Sequence, residues 1–95
     1  MSPRIAITTG DPTGVGPEVL VRALQAVDGF VPVIFGPADA VQRAARLVGV
    51  DAPDVHDCGG TLPEVTALEE GVAACLAGTC DALVTAPIHK RRLMD

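Results

Sequence analysis

The stretch Ile5-Ala6-Ile7-Thr8-Thr9-Gly10-Asp11-Pro12-Thr13-Gly14-Val15-Gly16-Pro17-Glu18 decides the fold class. Arg4 to Thr8 is a short apolar run of strand length, and a glycine-rich loop ends it. Pro17 suits a first helical turn, where its missing N–H would have no partner in any case. Val19, Leu20, Ala23, Leu24 and Val27 then recur at helical spacing and form one apolar stripe. Strand, glycine-rich turn and helix in that order are the opening of a βαβ unit.

The same alternation continues along the chain. Val31 to Phe35 is a nearly unbroken apolar run of the kind buried on both faces of a sheet. Gly36-Pro37 restarts a helix with Val41, Ala44, Ala45 and Val48 on one side and Gly49 as its stop. Between Val50 and Gly60 the pattern is weak: Asp54 to Asp57 reads as a short strand or as a loop broken by Pro53, Gly59 and Gly60. Pro63 and Glu64 open a third helix that aligns Val65, Leu68, Val72 and Leu76 and ends at Gly78. Asp81 to Ala86 is the last strand, broken by Pro87. Helices of this length between strands imply right-handed crossovers and a parallel sheet, hence an α/β fold of βαβ layers. Residues 1–95 are expected to form a single α/β domain. His89 to Asp95 has the look of another helix opening without a cap, so the domain is expected to be a fragment of something longer.

Composition narrows the function classes. At 95 residues the chain is one domain or part of one, with 48% hydrophobic and 20% charged residues, a globular balance. Seven basic and twelve acidic side chains give a net charge of −5, and three of the bases are Lys90, Arg91 and Arg92. An otherwise acidic body repels a phosphate backbone, and two phenylalanines as the only aromatics make no stacking platform, so nucleic acid is not an expected partner. No apolar stretch reaches the ~18 residues of a membrane span, and no signal-peptide pattern opens the chain. Cys58, Cys75 and Cys80 are odd in number and form no CxxC pair, which fits idle thiols in a reducing cytoplasm. A cytoplasmic location is therefore expected.

Two loops could carry chemistry. The first, Thr8 to Glu18, leaves the carboxyl end of a strand and enters a helix, where open α/β sheets bind ligands. Its glycines let backbone N–H groups approach an anion, and the helix N-terminus favours negative charge. It is not a Walker A loop, because Gly16-Pro17-Glu18 stands where Gly-Lys-Ser/Thr is needed. It is not the Rossmann fingerprint either, because Val19 stands where a third glycine is needed and the second strand ends in Phe35-Gly36-Pro37 without a carboxylate. A tight structural turn is the competing interpretation. The second loop, Thr85-Ala86-Pro87-Ile88-His89-Lys90, leaves a strand at the same rim and could meet a phosphate or carboxylate; a solvated basic helix start competes with that. His56 reads as an exposed or satisfied histidine, Glu69 and Glu70 as a helix's polar side, and two histidines without i,i+4 spacing make no metal site.

The two loops together resemble the signatures of the 4-hydroxythreonine-4-phosphate dehydrogenase family. Ile5 to Glu18 looks like the amino-terminal signature, and Asp81 to Lys90 looks like the second, in the same order. Gly10-Asp11 with Gly14 to Glu18 is also similar to the opening loop of the wider isocitrate and isopropylmalate dehydrogenase fold. The resemblance implies a partial fold of that kind, forming the amino-terminal portion of a longer two-domain enzyme that works as a homodimer. The implied activity is NAD- or NADP-dependent oxidation of 4-phosphooxy-L-threonine in vitamin B6 (pyridoxine) biosynthesis, with a divalent metal (Zn, Mg or Co) polarising the alcohol. A dehydrogenase for a phosphorylated sugar acid such as threonate or erythronate phosphate is the close alternative. A non-catalytic module that binds a phosphorylated metabolite is the distant one. By resemblance Gly10, Asp11, Gly14, Val15 and Gly16 lie near the dinucleotide, and Thr85, His89 and Lys90 edge the phosphorylated substrate. The family's metal ligands and catalytic residues have no counterpart in these 95 residues, so the chain alone is expected to be inactive. The stretch between the signatures is shorter than the family pattern, which puts one strand or helix in question.

Overall fold

Each apolar run becomes a strand and each amphipathic stretch a helix, in strict alternation. In the computed structural model, which describes residues 2–10, 16–60 and 62–86, the order is β1 (Arg4–Thr8), α1 (Gly16–Ala26), β2 (Val31–Gly36), α2 (Ala38–Val48), β3 (Val55–Asp57), α3 (Pro63–Leu76) and β4 (Ala82–Thr85). The weak region resolves in favour of a strand, the three residues of β3. All four strands are parallel, in the order β3-β2-β1-β4, with Thr8 opposite Phe35 on one side and Thr85 on the other. β1 is thus central, and β4 reaches it from the far end of the sequence. The backbone N–H of Arg4 donates to Asp81 Oδ2 at 2.8 Å, and the N–H of Asp81 donates to the Arg4 carbonyl at 2.7 Å.

Chirality sorts the helices. The steps β1 to β2 and β2 to β3 move one way across the sheet, so right-handed crossovers put α1 and α2 on one face. The step β3 to β4 moves back, which puts α3 on the other. Alternation along the strands agrees: Ile34 packs with Leu20, Val21, Val41, Ala44 and Ala45, while Val33 and Phe35 pack with Ala67, Cys58 and Cys80. β2 is buried from Val33 to Gly36, but Val31 and Pro32 are exposed, so burial on both faces holds for its carboxyl half alone.

Two helices differ from the pattern the sequence predicts. α3 turns Glu64, Ala67 and Gly71 to the sheet, not the line Val65, Leu68, Val72 and Leu76, and Leu76 is 85% exposed. Close approach explains it: a Cβ on Gly71 would lie 2.9 Å from Leu83 Cδ1 and 3.4 Å from Thr8 Cγ2. At Ala67 and Gly71, where the helix runs nearest the strands, small side chains are what fits. α1 buries Leu20 and Val21, whereas Val19 and Val27 from the predicted stripe stay exposed. α2 follows expectation and ends at Gly49, whose φ of 86° is the left-handed C-terminal turn that favours glycine.

The amino end of α2 is capped from outside. Pro37 has no side chain that can serve, and Asp57 Oδ1 accepts the N–H of Ala38 at 2.9 Å from the end of β3. That carboxylate meets an unpaired first-turn donor and the positive helix end together.

Candidate functional site

In a parallel sheet every strand-to-helix loop emerges at the same carboxyl rim. Gly10 and Gly16 of the first loop and Thr85 at the start of the second meet there. The N–H of Thr9 donates to the Phe35 carbonyl at 3.3 Å, and the N–H of Ala86 donates to the Thr8 carbonyl at 3.1 Å, so β1, β2 and β4 end side by side. Gly16, the first residue of α1, lies against them. A Cβ there would strike the Thr9 carbonyl oxygen and come within 3.4 Å of Ala86 Cβ. Gly10 turns the chain away with φ at 71°, a conformation suited to glycine. Asp11, Gly14 and Val15, and likewise His89 and Lys90, lie outside the described residues.

Side chains around this rim are tightly held. Thr8 and Thr9 are fully buried, and neither Oγ1 has a hydrogen-bond partner among the described residues. Thr9 fills the space a side chain on Gly36 would need: a Cβ there would contact Thr9 Oγ1 and lie 2.7 Å from Thr9 Cγ2. Thr8 faces α3 and Thr9 faces α1 and α2, so the two hydroxyls straddle the end of β1. Thr85, the described residue expected on the substrate side, is exposed and is the register partner of Thr8.

Two carboxylates belong to helix N-termini at this rim. Glu18 in the first turn of α1 is paired with Arg22, Nη2 to Oε1 at 3.0 Å and Nε to Oε1 at 3.2 Å. That pairing offsets a negative charge which would otherwise oppose an incoming anion. Glu64 in the first turn of α3 is completely buried and engaged in an interaction there. In the sequence Glu64 reads as an ordinary helix-opening acid. The signal that could have found it is its position at i−3 and i−7 from Ala67 and Gly71, on the small-residue face.

Beside the rim, the Cys58 thiol donates to Glu70 Oε2 at 2.8 Å, bridging the end of β3 to α3. Burial first, then the bond to Glu70 and its charge, push the thiol up to about 12. Cys58 is therefore a protonated donor at neutral pH and not a nucleophile. Glu70, expected to be idle, has this structural role. The His56 ring stacks on Phe35 with centroids 4.9 Å apart. Among the described residues no three His, Cys, Asp or Glu side chains are placed to hold a metal ion. No described helix is long and apolar enough to cross a membrane.

Comparison with known proteins places this geometry in a family context. No family model matches the chain. The 4-hydroxythreonine-4-phosphate dehydrogenase of Thioalkalivibrio sulfidiphilus is 33% identical over 125 positions, covering 99% of this chain and 38% of that protein. The one of Burkholderia vietnamiensis is 34% identical over 118 positions, covering 97% of this chain and 35% of its own length. A Bradyrhizobium diazoefficiens protein, named provisionally as a D-threonate 4-phosphate dehydrogenase, is 29% identical over 97% of this chain. The crystal structure of the Burkholderia phymatum 4-hydroxythreonine-4-phosphate dehydrogenase superposes with a TM-score of 0.82 and 25% identity, over 99% of this chain and 39% of that one. The chain thus spans less than two-fifths of the length of these relatives. An alignment of 125 positions against 95 residues also means that at least 30 positions are filled by the relative alone. By sequence and by fold, the chain is a homologue of the 4-hydroxythreonine-4-phosphate dehydrogenase family over nearly all of its residues.

Proposed function

We propose that this chain is the amino-terminal α/β portion of an NAD- or NADP-dependent dehydrogenase that oxidises 4-phosphooxy-L-threonine, with a partial isocitrate/isopropylmalate dehydrogenase-like fold. The supporting observation is the homology, which runs through both signature loops and nearly the whole chain. The rim geometry fits that reading: Gly16 brings the amino end of α1 against the ends of β1 and β4, where a phosphate-bearing ligand would find positive helix charge. Gly10 and Gly16, with Asp11, Gly14 and Val15, would approach the dinucleotide. Thr85, with His89 and Lys90, would edge the substrate.

The dinucleotide, when bound, supplies the hydride acceptor. This chain's own part is to bind and orient. No described residue is assigned a proton-transfer role, and the metal of the complete enzyme would take its ligands from outside these 95 residues. A homodimer and a cytoplasmic setting belong to the same proposal. A phosphorylated sugar acid as substrate is the second reading, favoured by the provisional D-threonate 4-phosphate activity in the name of one relative.

Titration of the purified chain with NAD and NADP tests the binding role. Saturable binding of one dinucleotide is expected, weakened at least fivefold by Asp11→Ala. No change in that variant would remove the assignment of the first loop. The chain alone is expected to form no NADH or NADPH from 4-phosphooxy-L-threonine, and turnover by it would overturn the proposed division of labour.

A further inference from the structure

α3 lies over β1, β2 and β4, and the edge strand β3 stays to one side of it. His56 of β3 is exposed and stacks on its register partner Phe35, the two rings 22° from parallel. Between this ring pair and α3 runs a groove of about 580 Å³, floored by Val33 and Phe35 and walled by Ala73, Ala74 and Ala77. Small-molecule sites fall in the range of roughly 300–1,000 Å³. Every residue named here is a described one.

The two ends of the groove differ in charge. Glu70 stands at the end beside His56, and Arg4 at the other. Arg4 pairs with Val31, four residues before Phe35, so at ~3.3 Å per residue it lies about 13 Å from the ring pair along the strands. The wall agrees, since Glu70 to Ala77 is about 10 Å of helix at ~1.5 Å per residue. Neither Glu70 nor Arg4 has an ion-pair partner among the described residues. Two nearby acids are already engaged: Asp81 accepts the Arg4 backbone N–H, and Asp57 accepts that of Ala38. Glu70 is also fixed in advance. The Cys58 thiol donates to its Oε2 at 2.8 Å, which leaves Oε1 as an acceptor without a partner among the described residues. A held acceptor beside an exposed ring face complements a flat heterocycle that carries an N–H donor on its rim. A single guanidinium at the far end suits one phosphate.

We propose that the groove between α3 and β3 binds an amino-substituted purine nucleoside monophosphate. The base stacks on His56, its exocyclic amine donates to Glu70, and its phosphate meets Arg4. The extended length of such a molecule matches the separation of the two ends. This site lies beside α3, apart from the loops after β1 and β4, and it does not depend on the reading of the chain as part of a dehydrogenase. It also gives the buried Cys58–Glu70 bond a purpose, the orientation of a ligand-binding carboxylate.

The probe is adenosine monophosphate, titrated into the 95-residue chain by calorimetry and followed by NMR. Saturable one-to-one binding is expected. It should be at least fivefold weaker for inosine monophosphate, whose carbonyl replaces the amine, and at least fivefold weaker for adenosine, which lacks the phosphate. Arg4→Met should remove the advantage of adenosine monophosphate over adenosine. Glu70→Gln, which adds an amide N–H donor, should shift the preference toward inosine monophosphate. Arg43→Gln, an exposed base on α2 across the sheet, controls for nonspecific phosphate attraction and should change affinity less than twofold. Resonances of Arg4, His56 and Ala73 to Ala77 should move on binding. No saturation below about 10 mM overturns the proposal. Equal binding of the three ligands does so too, as does resonance movement confined to Gly10, Gly16 and Thr85. A Glu70→Gln chain that keeps the full preference for the amine also overturns it. Where circular dichroism shows that a variant has not folded, the ligand series on the unmodified chain decides alone.

Discussion

The two faces of the sheet solve the same covering problem differently. On one, α3 lies close against β1, β2 and β4 because Ala67 and Gly71 give it room, and Cys58, Phe35 and Cys80 close the packing. On the other, α1 and α2 cover β1 to β3 and, among the described residues, the strip over β1 and β4 is left open. The difference teaches that strand burial here depends on the neighbours a strand happens to have, and that hydrophobicity of the strand does not guarantee it.

Substitutions on the two faces should therefore differ most where the residues look alike. Phe35→Ala, on the covered face, is expected to cost about 3–5 kcal/mol in urea unfolding. Val84→Ala on the open strip should stay within about 0.5 kcal/mol. A large cost at Val84 in the 95-residue chain would mean that the strip is already covered, which breaks the contrast.

Two glycines sharpen it. Gly36→Ala would drive a Cβ into the buried Thr9 side chain and is expected to cost about 1–3 kcal/mol, relieved when Thr9→Ala is added. Gly71→Ala crowds the flexible tip of Leu83 and meets Thr8 and Phe35 at ordinary contact distance, and a gain of about 1 kcal/mol in helix propensity offsets that crowding, so the net change should be near zero. Comparing the midpoints of the three variants in denaturant decides whether close approach or backbone freedom keeps each glycine.

Smaller effects test the links between elements. Asp57→Ala removes the borrowed cap of α2 and should cost about 1 kcal/mol, with faster amide exchange in the first turn of that helix. The Cys58 thiol gives a pH signature. Its ordinary value is 9.0 and the fold raises it to about 12, so the protonated thiol is favoured in the native state. The stability this contributes is fully present below pH 9 and is lost as pH rises from there toward 12. Cys58→Val should flatten that part of the stability curve, and in the unmodified protein the partly exposed Cys75 should react with a thiol reagent before Cys58 or Cys80.

How far the sequence discloses all this depends on which physical signal is involved. Strand and helix order is readable because apolar runs and helical spacing are local, and Gly49 and Pro63 mark ends by backbone chemistry alone. The face that α3 turns inward is not readable by the same rule. Periodicity selects the bulky Val65, Leu68, Val72 and Leu76, while the inward face carries Glu64 at its start and then the small Ala67 and Gly71 that let the helix approach. The Cys58–Glu70 bond and the Asp57 cap join residues twelve and nineteen positions apart, and no spacing rule pairs them. At the rim, Gly10, Gly16 and Thr85 are found at neighbouring strand ends as the loop positions imply. Glu64 was hidden by its ordinary place at a helix start.

The central position of β1 also bears on how the chain acquires its shape. Residues 4 to 57 can assemble as nearest-neighbour βαβαβ units, each strand pairing with the one synthesised just before it. β4 cannot: its partner lies 77 residues back, where Arg4 meets Asp81. Loop closure over that distance makes its docking the entropically costly and slow event of folding. Until it occurs, one long edge of β1 stays open to pairing with other chains. Aggregation during refolding should then fall when β1–β4 closure is accelerated, independently of how stable the finished fold is.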